Sequence, residues 1–274
     1  MKRNVVCCLT MALLIFGFVW AEEEKPKEQK KDLTALQILR KSDSVVNAPK
    51  DQEITLEMIL IDRRGKEKKR EAKMWQKGSE KRMTKFLSPA DVKGLGFLDL
   101  PDDVMYLYLP AFKKIRRIAS HVKNTSFAGT DFTYDDMASI NYADEWGPKL
   151  MGSKKEVELG PAVKKGTLVT KEFDCYLLQL TPKKGVKKDY SKLVMWVRKD
   201  NFYPVRIEHY SKKGKLWKVM RRRKVEKEGK YWIAKEAEMS DLKKEHKTKM
   251  LIIEVKFDQG LKDELFTQRY LKRK

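Results

Sequence analysis

Hydroxyls and carboxylates crowd into one short loop, among them Ser126, Thr130, Asp131, Asp135 and Asp136 in TSFAGTDFTYDDM. Residues of these types can hold calcium, share a proton as an acid and base, or activate a hydroxyl for hydrolysis. The spacing does not match a calcium loop. A hydrolase using Ser126 or Thr130 with Asp131 would further need a base and an oxyanion hole, and no motif announces either. The types instead predict local structure: Thr130 or Asp131 caps a short helix over FTYDDMAS, and Asp135 and Asp136 pair with Arg116 and Arg117. Asn124-Thr125-Ser126 fits a glycosylation pattern and is read as turn chemistry.

The rest of the chain offers little to a catalyst. His121, His209 and His246 lie on separate segments without ligand spacing, and there is no P-loop, G-x-S-x-G, H-E-x-x-H or C-x-x-C. Neither a metal nor a cofactor is expected. Cys175, in EFDCYLLQL, reads as a buried strand position, a small hydrophobe rather than a nucleophile.

What surrounds the loop is more informative. In DVMYLYLPAFKKIRRIAS, Met105, Leu107 and Leu109 point to one side of a strand and Tyr106 and Tyr108 to the other, so both faces meet apolar matter. Pro110 ends the strand. Phe112 and the cations Lys113, Lys114, Arg116 and Arg117 follow, and the loop then presents Phe127, Phe132 and Met137. Together with Phe97 these residues predict the wall and lid of an apolar cavity, with the four cations as a rim for an anionic headgroup or membrane.

The elements that must position them follow from periodicity. After Asp32, read as a helix cap, LTALQILRKSDSVV repeats leucine every three residues and predicts a helix. From residue 53 the period becomes two, and about ten strands separated by polar turns are expected, with a helix and loop inserted around residues 119–152. DELFTQRYLKRK predicts a final helical turn. A sheet of this length must curl or close.

Composition sets the surroundings. MKRNVVCCLTMALLIFGFVWA has Lys2 and Arg3 before an apolar run and small residues before a cut, so residues 1–21 are read as a signal peptide cleaved after Ala21. Cys7 and Cys8 sit too early in that run for lipidation. Residues 22–31, charged and without an apolar side chain, predict a disordered leader, and residues 32–274 a single domain. The net charge of +22 falls to +20 once Lys2 and Arg3 are removed, which favours anionic partners; export argues against nucleic acid. Alternation is expected to put lysine and arginine on the face of the strands opposite the apolar one, as in KVMRRRKVEKE, where they form either a solvated outer surface or a dedicated anion-binding one.

FLSPADVKGLGFLDL, then MYLYLPAFKKIRRIASHVKNTSFAGTDFTYDDM, and later WIAKEAEMSDLKKEHKTKM and LFTQRYLKR resemble the bacterial outer-membrane lipoprotein-sorting proteins, the LolA/LolB-like group. The ordered pattern P-A-D-x-K-G, Y-L-P, K-x-x-R-R-I and S-F-x-G-[ST]-D-F-[ST]-Y-[DE]-D carries the likeness, which spans nearly the whole mature chain. The resemblance implies a mainly β fold, a strongly curled antiparallel sheet or incomplete β-barrel with helices covering its concave face. It also implies a monomeric, non-enzymatic periplasmic carrier of lipoprotein acyl chains or other lipids. Its partners would be lipid or lipidated protein, an anionic membrane surface and an inner-membrane transporter. Two rivals remain open at this point: a lipid-acting hydrolase, and an adhesin or structural surface protein that binds polyanions.

Overall fold

The computed structural model describes residues 33–138, 141–162 and 168–273. The signal peptide, its cleavage site, the charged leader and the expected cap Asp32 lie outside the described residues. Helix α1 (Ala35–Val46) is capped by Thr34 instead: its Oγ1 accepts from the Gln37 N–H at 3.3 Å and the Gln37 side chain accepts from the Thr34 N–H at 2.9 Å. This reciprocal pair satisfies two of the donors that a helix start leaves free.

Thirteen antiparallel strands form one open sheet. The first six are β1 (Asp51–Ile61), β2 (Glu67–Lys77), β3 (Lys81–Ser88), β4 (Gly96–Leu100), β5 (Val104–Leu109) and β6 (Lys114–Arg117). The last seven are β7 (Trp146–Ala162), β8 (Leu168–Pro182), β9 (Tyr190–Arg198), β10 (Pro204–Ser211), β11 (Leu216–Glu228), β12 (Tyr231–Asp241) and β13 (His246–Phe257). Each set is a meander, and the two join where β1 pairs with β13, so β6 and β7 are the two outer edges. The count corrects the expected ten: β4, β6 and β7 are additional.

This topology imposes a crossing. The chain leaves the sheet at β6, one edge, and must re-enter at β7, the other. Residues 118–145 make that journey over the inner face, and we call them the strap. Among its described residues it carries two short α-helices, α2 (Tyr134–Met137) and α3 (Tyr142–Glu145), and two single 3-10 turns. The cover of the inner face is therefore α1 and a largely irregular strap rather than a set of helices.

The sheet curls strongly. Arg82 of β3 and His209 of β10 line the same small cavity, although six strand spacings of about 4.8 Å would hold them about 29 Å apart in a flat sheet. Two inner clusters fill the curl. One joins Ile54, Leu56, Met58, Phe86 and Phe97 to Phe127 and Phe132 of the strap. The other joins Ile38 and Leu39 of α1 to Leu178, Leu180, Met195 and Ile207.

The C-terminal turn covers the opposite face of the first meander. Phe266 and Leu271, in and beside α4 (Gln268–Leu271), pack with Trp75, Met83 and Leu98, and Tyr106 and Tyr108 join them. Both sides of β5 therefore meet apolar matter, as its alternation requires. Gly96 lets this turn approach closely, since a Cβ would fall 2.6 Å from the Leu271 Cδ1 and force that side chain to shift. The chain is turned toward this face by Asp51, whose carboxylate accepts from the N–H groups of Gln259, Gly260 and Leu261 at 2.7, 2.9 and 3.0 Å.

Candidate functional site

The strap is stitched to the sheet by buried polar groups. Asp131 is the first stitch: its N–H donates to Thr248 Oγ1 at 3.0 Å, while its carboxylate accepts from that hydroxyl at 2.7 Å and lies 2.7 Å from His246 Nδ1. Lys218 Nζ donates to the Asp131 carbonyl at 2.7 Å. Further along, Thr133 caps α2 in a reciprocal box with Asp136, so the cap is neither Thr130 nor Asp131. The hydroxyls of Ser126 and Thr130 donate to the backbone carbonyls of Thr130 and Phe127.

The aspartates after the cap also find partners other than those expected. Asp135 is met by Lys188 Nζ at 3.0 Å, and Asp136 accepts from the Tyr190 hydroxyl at 3.1 Å with Lys218 Nζ at 3.8 Å. Arg116 and Arg117 stand exposed on β6 instead. The strap crosses toward β7 and so delivers its acidic turn to β9 and β11, away from the edge it came from.

Arg82 makes the last stitch. It projects inward from β3, donates to the carbonyls of Met137 and Ala138 at 3.0 and 2.7 Å, and is steadied by Gln76 Oε1 at 3.1 and 2.6 Å. Burial pulls its guanidinium down to about 10, which leaves it charged at neutral pH.

Beneath this stitch lies a cavity of about 140 Å³ between α1, the strap and the sheet. Its apolar wall is Met74, Met137, Met220, Met239, Met250 and Phe132, and its polar wall includes Asp43, Arg82, Asp136, His209 and Arg222. Methionine is flexible and polarisable, so a methionine wall adapts to ligands of varied shape. Burial pushes His209 down to about 4 and keeps its imidazole neutral.

Asp43 ties α1 to α3. Its carboxylate accepts from the N–H groups of Tyr142 and Ala143 at 3.1 and 2.7 Å. Burial nevertheless outweighs these bonds and pushes its pKa up to about 6, with Asp144 adding to the rise and Arg222 opposing it. Because the folded protein holds this proton more tightly than the unfolded chain does, the associated stability is full in acid and is lost as pH rises through about 6. Relative to Asp43→Asn, the natural protein is expected to lose about 2–3 kcal/mol between pH 4 and pH 7. Thermal melts of both proteins across that range check this; parallel curves would contradict it.

A family model with the description "-like: Uncharacterized protein" matches residues 78–273. A domain assigned to outer-membrane lipoprotein sorting, from Vibrio parahaemolyticus, is similar at 26% identity and a TM-score of 0.76, over 87% of this chain and 98% of that one. A DUF1329 family protein from Desulfovibrio piger is similar at 28% identity and a TM-score of 0.76, over 86% and 97%. A LolA superfamily protein from Nitrosomonas europaea shares the fold at 21% identity and a TM-score of 0.69, over 87% and 100%. The chain belongs to the LolA-like family. No curated protein matches it.

Within this LolA-like fold the residues expected at a cavity or lid fall into three places. Phe132 and Met137 line the cavity. Phe97, Met105 and Phe127 are buried in the adjoining cluster with Leu107 packed against it, and the rings of Phe86, Phe97 and Tyr134 surround Phe127 at 5.7, 5.5 and 5.6 Å. Leu109 is half-buried and Phe112 is 69% exposed at the turn before β6. Lys113, Lys114, Arg116 and Arg117 are exposed along that edge, and none forms an ion pair with a described residue.

Five polar residues of the site, Asp43, Arg82, His209, Lys218 and Arg222, are not foreseen by the expectation that cations occupy outer faces. Their signal is phase: Arg82 keeps step with Thr84 and Phe86, and His209 with Ile207, on the buried side of their strands. Cys175 is buried and its thiol is pushed up to about 12, chiefly by burial, which makes it inert. Among the described residues, no group of three or more acidic, histidine or cysteine side chains could hold a metal, and no helix is long and apolar enough to cross a membrane.

Proposed function

We propose that this protein is a periplasmic carrier of lipoprotein acyl chains or other lipids, which it holds between the curled sheet and the strap. The observation that carries this reading is the methionine-walled cavity closed by Arg82 and the carbonyls of Met137 and Ala138. The similar domain assigned to lipoprotein sorting supports it at a coarse level. The cavity volume, about 140 Å³, lies well below the roughly 300–1,000 Å³ of drug-sized ligand pockets. On this reading the strap is down over the cavity, and a full acyl chain enters when it lifts and the methionines repack. Burial at about 0.8 kcal/mol per methylene then supplies affinity without demanding specific contacts.

The β6 edge suits transient docking to an anionic membrane. Exposed Phe112 stands beside Lys113, Lys114, Arg116 and Arg117, each cation contributing roughly 1 kcal/mol near an anionic surface. Such docking weakens as salt screens the charges.

The experiment is mass spectrometry of organic extracts from protein purified without detergent, paired with titration of a fluorescent fatty-acid probe. Bound lipid in repeated preparations, displaced by the probe, is the expected result. Lipid-free preparations that also ignore the probe would overturn the carrier reading.

A further inference from the structure

Strand alternation divides the run Arg221-Arg222-Arg223 between two environments. Arg223 faces outward, where it donates to Glu236 at 3.0 Å and Glu238 at 3.4 Å, and Arg221 lies on the same face within the field of Glu156 and Glu238. Arg222 faces inward, in step with Met220 and opposite Ala237. It forms no ion pair with a described residue. Its one hydrogen bond is from Nη1 to the Pro204 carbonyl at 3.3 Å, and the guanidinium stands 5.9 Å from the Tyr203 ring.

A charge on a methionine wall is expensive unless something meets it. The two carboxylates of the cavity spend their hydrogen bonds on other groups: Asp43 accepts from Tyr142 and Ala143 and meets Arg222 through its field without forming an ion pair, and Asp136 accepts from Thr133 and Tyr190. Arg82 adds positive field, with the hydrogen bonds given above running to neutral oxygens and the Asp99 carboxylate in its field. His209, only 3% exposed, lines the same space with an Nδ1 that has no partner. The polar side of the cavity thus holds a guanidinium with spare donors and, in the bordering His209, a buried Nδ1 without a hydrogen-bond partner, opposite the methionines.

We propose that Arg222 and His209 form an internal site for the carboxylate of a single-chain fatty acid, whose first methylenes lie against Met220, Met239 and Met250. Arg222 offers a charge-assisted, geometrically forked donor, and neutral His209 donates from Nδ1–H in the tautomer the ligand selects. Size selects the ligand class. With the strap down, about 140 Å³ compares with the roughly 150 Å³ that accepts benzene, room beside Arg222 for a carboxylate and its first carbons but not for a phosphoglycerol headgroup, while the rest of the chain follows the opening described above. This inference rests on the carrier reading and adds to it that a free fatty acid enters head first.

The test titrates delipidated protein with decanoate and with decan-1-ol at neutral pH, by calorimetry, for the natural protein and for Arg222→Met, Arg222→Lys and Arg221→Met. The natural protein is expected to bind decanoate about tenfold or more tighter than the alcohol, as a charge-assisted hydrogen bond implies. Arg222→Met should reduce that preference to about twofold or less while alcohol binding persists, which also shows that the variant is folded. Arg222→Lys should retain part of the preference, and Arg221→Met all of it. Equal binding of acid and alcohol by the natural protein, or a preference undiminished in Arg222→Met, would overturn the inference and leave the carrier reading standing. Binding of neither ligand would remove both.

Discussion

Phe127→Ala is expected to destabilise the protein by about 3–5 kcal/mol, the range for emptying a large aromatic from a packed core. Phe127 is wholly buried, and its ring is held by those of Phe86, Phe97 and Tyr134. Two of these belong to β3 and β4 and one to the strap, so the contact joins the cover to the wall. Collapse around the lost ring is restricted because its neighbours are themselves anchored: Arg70 donates to the Ala128 carbonyl and lies 5.7 Å from the Phe86 ring. Urea unfolding measures the loss, and hydrogen exchange should show the strap amides of residues 125–138 exchanging before those of β1 and β13. A loss under about 1 kcal/mol would mean that the aromatic cluster is loosely packed.

Arg82→Met removes the donors that hold the Met137 and Ala138 carbonyls. Each buried acceptor left without a partner costs about 1–3 kcal/mol, and relief of the buried charge returns part of that, so a net loss of about 2–4 kcal/mol is expected. The functional consequence is larger than the thermodynamic one. With the stitch cut, a fluorescent fatty acid should leave at least about tenfold faster, since about 1.4 kcal/mol off the opening free energy already gives that factor. Stopped-flow displacement reads the rate, and Arg82→Lys, which can reach one carbonyl, should fall between. An unchanged release rate in Arg82→Met would show that ligand leaves without moving this part of the strap.

Much of the architecture was visible in residue order because most strands have one buried and one exposed face. The alternation of Ile54, Leu56, Met58 and Leu60 marks β1, and similar patterns mark the long strands of the second meander. The three strands that escaped did so for separate reasons. In β4, Gly96, Phe97, Leu98 and Asp99 are all buried, because α4 covers one face and the strap the other, so no alternation survives. β6 is four residues, mostly exposed cations, which suits a protected edge. β7 carries Pro148 and Gly152, residues that read as loop and are tolerated only where one side of the strand is unpaired.

The site was visible in part for a related reason. Apolar residues such as Phe132 and Met137 announce burial by their chemistry alone. Arginines do not, and in KVMRRRKVEKE the neighbours Val219 and Met220 are both apolar, which leaves the phase of the run ambiguous. Only the pairing of Met220 with Met239, and of Arg222 with Ala237, decides which arginine turns inward. Asp43 is hidden in the same way, since a short polar residue near the end of α1 looks like solvent-facing helix until α3 brings its N–H groups to it.

The seam between β1 and β13 has a consequence for the order in which the molecule can be made. Each meander grows by hairpins between neighbouring strands, contacts that form quickly because little chain lies between them. The seam instead pairs Gln52 with Phe257 and Ile61 with Lys247. The entropy of closing so long a loop grows only logarithmically, yet it must be met before the first seam hydrogen bond returns anything. Synthesis delivers β1 well before β13, with eleven other strands between them. Throughout the interval β1 keeps a bare edge of backbone donors and acceptors beside its apolar face, the arrangement most open to pairing with the wrong chain.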